Sequence, residues 1–364
     1  MTFRELNVAI FRREPVREIL WQPRIEHWYE THRLQNTLPE RYRGMSLLEV
    51  FDDIGCSVRP YWAFNPTIRI ELPEDTRKES RDDGSRTIET LYTPVGNLVT
   101  VSQRTSLASH TVKYPVVTPA DMRVMEWVLQ HRRVWFDKDA YRRACARIGN
   151  RAAPSIYIPR INLMRILIDF MGFEGGMTAI CEYPEETDRF VAVINETDGP
   201  ILDVVCACPI DIVNFGDNVH QALCPPPFFE RFVQPEYRRR NERLHAAGKA
   251  TYPHWDGDCG QLLPYARDCG FDGVEAITPV PQGDVTLEQV RDALGSLILV
   301  DGIPCTDFLP AEPIEGLVEN TRKCIEYFAP HLILGISDEL SPAGDIERVR
   351  LVSDIVREHN AVAR

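Results

Sequence analysis

From Ser155 to the carboxyl end the chain repeats one unit: a short run rich in aliphatic and β-branched residues, then a longer segment with helical periodicity. The runs are Ser155-Ile156-Tyr157-Ile158, Asp211-Ile212-Val213-Asn214-Phe215, Lys249 to His254, Gly273 to Thr278, Leu297 to Val300 and Leu332 to Ile336. Helical segments span Pro184 to Asn195, Pro227 to Ala247, Cys259 to Cys269, Leu287 to Ala293, Ile314 to Phe328 and Ile346 to Glu358. Such alternation requires parallel strands joined by right-handed crossovers. With Ile19-Leu20-Trp21-Gln22 as a first strand stopped by Pro23, the expected fold is α/β, a (β/α)8 TIM barrel. At 364 residues and 44% hydrophobic content, one large core over residues 1–364 is the economical organisation.

Residues 60–115 depart from the repeat. Thr67 to Leu72, Thr87 to Tyr92 and Leu98 to Ser102 alternate polar and apolar residues and are separated by Asp, Gly and Pro, which predicts an antiparallel β meander inserted as a cap or side wall. Thr118-Pro119-Ala120-Asp121 then reads as a helix start, with Thr118 as N-cap and Asp121 completing a capping box.

A formal charge of −13 without a Lys/Arg tract argues against nucleic acid or an anionic membrane as partner. No apolar stretch approaches the roughly 18 residues of a membrane span, and Met1-Thr2-Phe3-Arg4-Glu5 lacks a signal-like apolar core, so a cytoplasmic protein is expected, compatible with a homodimer. The ten cysteines follow no framework spacing, which favours reduced thiols; Cys206 and Cys208 read as sharing a buried face, and Arg238-Arg239-Arg240 as a solvated helix face.

The chemistry concentrates at strand ends. His254 and Asp256 lie two residues apart on extended backbone and therefore point to one side; Glu275 sits on the next run and Asp338 follows the last. An imidazole with three carboxylates could hold zinc or a harder divalent ion, with Cys259 and Cys305 as alternative soft ligands. Glu275 has an equal alternative as a carboxylate paired with an arginine inside the barrel, and Asp338 one as a helix cap before Pro342. Gln22, Arg24, His27, Tyr157, Asp217, Asn218 and Asp301 follow strand ends and are the candidate substrate-binding residues. Trp21, Trp62 and Trp255 are candidate aromatic walls.

Several of these segments resemble a known family. His254-x-Asp256-Gly257, Gly270-Phe271-Asp272-Gly273-Val274-Glu275, Thr278-Pro279-x-Pro281-x-Gly283-Asp284-Val285-Thr286-Leu287 and Ile333-Leu334-Gly335-Ile336-Ser337-Asp338 together look like the uroporphyrinogen decarboxylase superfamily, in its corrinoid-dependent methyltransferase branch. Tyr92-Thr93-Pro94-Val95-Gly96 and Tyr183-Pro184-Glu185 agree with it. The resemblance implies a barrel that moves a methyl group between a small molecule and a cobalt corrinoid carried by a separate corrinoid-binding protein. In the branch's coenzyme M methyltransferases zinc is held by a His-x-Cys pair, a Glu on the following strand and a late Cys. Carried onto this chain, the metal positions are His254, Asp256, Glu275 and Asp338, with both cysteines replaced by carboxylates.

An oxygen-rich site is a harder Lewis acid than a thiolate-rich one and suits an ether or alcohol oxygen. The expected activity is an O-demethylase-type methyltransferase: His254, Asp256 and Glu275, with zinc or with a proton on a site acid, activate a methoxylated or otherwise methylated small molecule toward Co(I). Two other readings are a cofactor-free decarboxylase, although the start of the chain offers Arg24 without that enzyme's Arg-rich signature, and a ligand-binding barrel without turnover.

Overall fold

The computed structural model describes residues 1–105 and 109–363. Its strands in chain order are β1 (Leu20–Trp21), β2 (Ile68–Glu71), β3 (Arg77–Asp82), β4 (Arg86–Thr93), β5 (Gly96–Arg104), β6 (Ser109–Lys113), β7 (Arg133–Phe136), β8 (Ser155–Ile158), β9 (Ile212–Val219), β10 (Ala250–Trp255), β11 (Gly273–Glu275), β12 (Ile298–Pro304) and β13 (Leu332–Ser337). Seven of them form one curled parallel sheet in the order β1-β13-β12-β11-β10-β9-β8, an α/β, TIM-barrel-like arrangement with helices outside. Every residue of β11, β12 and β13 is buried, as continuous apolar runs covered on both faces require.

The expected barrel has eight strands, and the place between the edges β1 and β8 is filled instead by an extended stretch leading into the helical turn Tyr61–Phe64. Ser57 N donates to Trp21 O at 2.9 Å, and Asn65 Oδ1 accepts from Tyr157 N at 2.9 Å, so residues 57–65 link the two edges. Pro60 interrupts this stretch and removes a donor, which keeps it from pairing as a strand.

The N-terminal helix Phe3–Phe11 closes the lower end. A capping box between Thr2 and Glu5 starts it, and its buried Leu6, Ile10 and Phe11 pack with Leu20, Ile212, Tyr252, Ile298 and Ile333 of the barrel. Phe11 stacks on Tyr252 at 5.3 Å between ring centroids. The opposite end, where the strands finish, is left for chemistry.

The antiparallel sheet differs from its expected composition. It has four strands, β3-β4-β5-β6, while Ile68–Glu71 leaves it to pair with Arg133–Phe136. Alternation marks a strand but does not name its partner, and Asp137 N donating to Thr67 O at 2.8 Å fixes the actual one. The sheet packs through Leu98 and Leu91 onto helix Pro119–His131, whose capping box of Thr118 with Asp121 and Pro at the first turn is as the sequence predicts. Among the described residues no helix is long and apolar enough to cross a membrane.

Candidate active site

His254 and Glu275 are register partners on adjacent parallel strands, so their side chains leave neighbouring strand ends side by side. His254 Nδ1 lies 2.8 Å from Glu275 Oε2. Glu275 is fully buried and accepts three further hydrogen bonds: from Asn214 Nδ2 at 2.6 Å on Oε2, and from Arg59 Nη1 at 2.6 Å and Tyr61 OH at 3.3 Å on Oε1. Asn214 also donates to Tyr61 OH at 2.8 Å, and Tyr61 meets Tyr252 hydroxyl to hydroxyl. Both carboxylate oxygens are thus committed.

Arg59 is the hub of this floor. Besides Glu275 it holds Asp301 through both terminal nitrogens, Nη1 to Oδ2 at 3.1 Å and Nη2 to Oδ1, and donates to Gln22 O at 3.3 Å. Gly335 is required beneath it, because a Cβ there would overlap Asp301 Oδ1 and lie 2.6 Å from Arg59 Nη2.

The electrostatics follow from that geometry. Burial alone would push Glu275 up, but Arg59 and His254 hold it well below the ordinary carboxylate range. Burial opposes a charge on His254 as well, yet the hydrogen bond and charge of Glu275, with Asp338 and Asp256 behind it, push His254 up to about 9. Asp301, with burial only partly offset by Arg59, is pushed up to about 6. At neutral pH His254 is therefore an imidazolium.

Its Nε2 faces the open side, 3.8 Å from Asp256 Oδ2 and 3.9 Å from Asp338 Oδ1. There lies a cavity of about 370 Å³ whose wall includes His254, Arg24, Tyr157, Arg160, Asn218 and Asp338. That volume is of the size that encloses a single-ring small molecule. Tyr157 is held against Tyr61 at 4.0 Å between centroids, and Gly216 leaves room for its ring, since a Cβ at 216 would come 2.7 Å from Tyr157 Cδ1.

Of the residues singled out from sequence, Arg24, Tyr157, Asn218, His254 and Asp338 line this cavity. Asp338 pairs with Arg24 rather than capping a helix, and Asn218 bridges Arg160 at 3.0 Å and Asp256 at 3.3 Å. His27 stands on the rim, 3.5 Å from Glu339. Three candidates sit below the surface with their polar atoms already used. Gln22 donates to Ser57 Oγ and Val58 O, Asp217 accepts from Ile161 N and Tyr237 OH, and Asp301 belongs to Arg59. Trp21 and Trp255 are buried in the core, and Tyr157 is the aromatic wall.

The four metal positions do not gather round one point. Glu275 lies at the Nδ1 side of the imidazole and Asp256 and Asp338 at the Nε2 side, so an ion on Nε2 is out of reach of Glu275. Among the described residues no three His, Cys, Asp or Glu side chains converge as a ligand set. Cys259 is buried with its sulfur against Asp256 O and Val219 O. Of the two readings open for Glu275, the buried partner of an arginine is the one the geometry shows, and the residues do not fit a four-ligand zinc centre.

Sequence reasoning missed Arg59, Tyr61, Asn214, Tyr252 and Arg160. Two left a signal: Tyr252 precedes His254 by two residues on one strand and shares its face, and Asn214 is a polar residue inside the apolar run Ile212 to Phe215.

No protein-family model matches the chain, and no curated protein matches it. Solved structures do. A methyltransferase from Methanosarcina mazei aligns over 98% of this chain and 99% of its own, with a TM-score of 0.62 at 13% identity. A B12-independent methionine synthase from Shewanella sp. W3-18-1 aligns over 96% and 99%, with a TM-score of 0.46 at 12% identity. The first shows a shared fold over 98% of this chain.

Proposed function

We propose that this protein is a methyltransferase whose acid is the His254 imidazolium. The observation that carries the reading is the buried line Arg59, Glu275, His254, which ends with Nε2–H facing the cavity. The whole-length likeness in fold to a methyltransferase supports it, as do the motifs of the corrinoid-dependent branch.

The donor is a methylated small molecule, an aryl methyl ether being the type the cavity suits, with its ring along Tyr157 and its heteroatom at His254 Nε2. A corrinoid carried by a partner protein supplies the nucleophilic cobalt that takes the methyl group. As the carbon–oxygen bond breaks, its electron pair stays on oxygen and His254 delivers the proton there. Glu275 keeps the ring oriented and charged until then, and Arg59 keeps Glu275 ionised in a buried site. Asp256 and Asp338, flanking Nε2, add negative charge that favours the protonated ring. No step passes through zinc.

The test is anaerobic incubation with reduced cobalamin and a set of methyl ethers, methylamines and betaines, read from the cobalamin spectrum. Methyl ethers should be consumed, and His254→Gln should slow them by about 10²–10⁴-fold, the usual contribution of a general acid. Quaternary ammonium donors, whose leaving group needs no proton, should lose far less. Ether turnover by His254→Gln at the wild-type rate, or no transfer from any donor, would refute the proposal.

A further inference from the structure

Three tyrosines crowd the floor beside His254, and the hydroxyl of one is left over. Tyr157, Asn214 and Tyr252 stand at one register level of β8, β9 and β10. Tyr61 and Tyr252 meet hydroxyl to hydroxyl, and Tyr61 OH accepts from Asn214 Nδ2 and donates to Glu275 Oε1, so both belong to the network under Glu275. The remaining buried tyrosines also spend theirs on the protein: Tyr29 OH donates to Met45 O, Tyr237 OH to Asp217 Oδ2, and Tyr42 OH accepts from Arg350 Nη1. Tyr157 does not. Its hydroxyl has no hydrogen-bond partner among the described residues, and it is not sealed into the core as the indole nitrogens of Trp21 and Trp255 are.

The ring that carries this hydroxyl is fixed. It lies against Tyr61 on one side and over the space left by Gly216 on another, so its hydroxyl is presented at small cost in side-chain freedom. Burial and the charge of Glu275 push the phenol well above its ordinary range, with Arg24 opposing them, so the group stays a protonated donor. A phenylalanine would wall the cavity as well and leave no donor unmet, so the wall alone does not account for a tyrosine. Tyr157 stands on β8 and His254 on β10, with β9 between, which sets their strands roughly 9–10 Å apart. Side chains reaching inward from strands so spaced address different atoms of one bound ring.

We infer that the Tyr157 hydroxyl donates a hydrogen bond to a second oxygen on the substrate's ring, so that the methyl donor is an aryl methyl ether bearing a further ring oxygen and Tyr157 sets that preference. The inference rests on the methyl-transfer reading, whose substrate class it narrows.

The transfer assay with reduced cobalamin, run on anisole and on ortho-, meta- and para-methoxyphenol, should give at least one methoxyphenol a kcat/KM about tenfold or more above that of anisole. Tyr157→Phe keeps the ring and should cut that ratio by about five- to tenfold, through loss of one hydrogen bond. A purely structural role would lower both donors together and leave the ratio where it was. Calorimetric titration with catechol, resorcinol and hydroquinone against phenol, without cobalamin, should show the same preference for a second ring oxygen in binding, and its loss in Tyr157→Phe. That pairing separates the two failures, since a binding preference without transfer from any ether removes the methyl-transfer reading and leaves the role of Tyr157 standing. Absence of the preference in the wild-type chain, or a preference unchanged in Tyr157→Phe, overturns the inference.

Discussion

Replacing Glu275 with glutamine removes the counter-charge that makes His254 an imidazolium while leaving Arg59 paired with Asp301. In the wild-type chain His254 rises from the ordinary 6.5 to about 9, a difference of roughly 2.5 units, or about 3 kcal/mol at 1.36 kcal/mol per unit. Because the folded value lies above the unfolded one, this stabilisation is fully present below pH 6.5. It is lost as the pH rises through about 9. Urea denaturation across that window should therefore show the wild type losing about 3 kcal/mol more than Glu275→Gln, whose buried imidazole has lost its principal support. His245, also raised through its hydrogen bond to Asp272, titrates alike in both proteins and cancels in the difference. Parallel stability curves for the two proteins would refute the argument.

Two further substitutions probe the floor and wall. Arg59→Met leaves Asp301 buried without its cation and Glu275 with His254 alone, and should cost about 3–5 kcal/mol in denaturant unfolding, with a smaller loss at acid pH where Asp301 is protonated. Gly216→Ala drives a methyl into the Tyr157 ring and should destabilise by about 1–3 kcal/mol; in the transfer assay it should raise the donor's KM more than it lowers kcat.

Much of the scaffold is legible because its signals are local. The apolar runs at 155, 212, 250, 273, 298 and 332 become β8 to β13, and the Thr118 box starts the helix at Pro119. His254 and Glu275 are legible as neighbours for the same reason, since they sit on two consecutive runs. What stays hidden is whatever depends on distant chain. Arg59 sits in a short irregular stretch before Pro60, and its partners lie 216 and 242 residues away, so nothing nearby marks it as the cation under the site. Without it, Glu275 reads as a free ligand and the four ionisable side chains look like a metal centre. Ile68–Glu71 joining Arg133–Phe136 is a second case, a pairing between strands on either side of a whole inserted sheet.

The protonation state of His254 can be read directly by ¹⁵N NMR of histidine-labelled protein between pH 7 and 8. The account requires protons on both ring nitrogens there, with Nδ1 bonded to Glu275 and Nε2–H free to meet a donor. A neutral ring in that range, its Nε2 lone pair turned to the cavity, would contradict it.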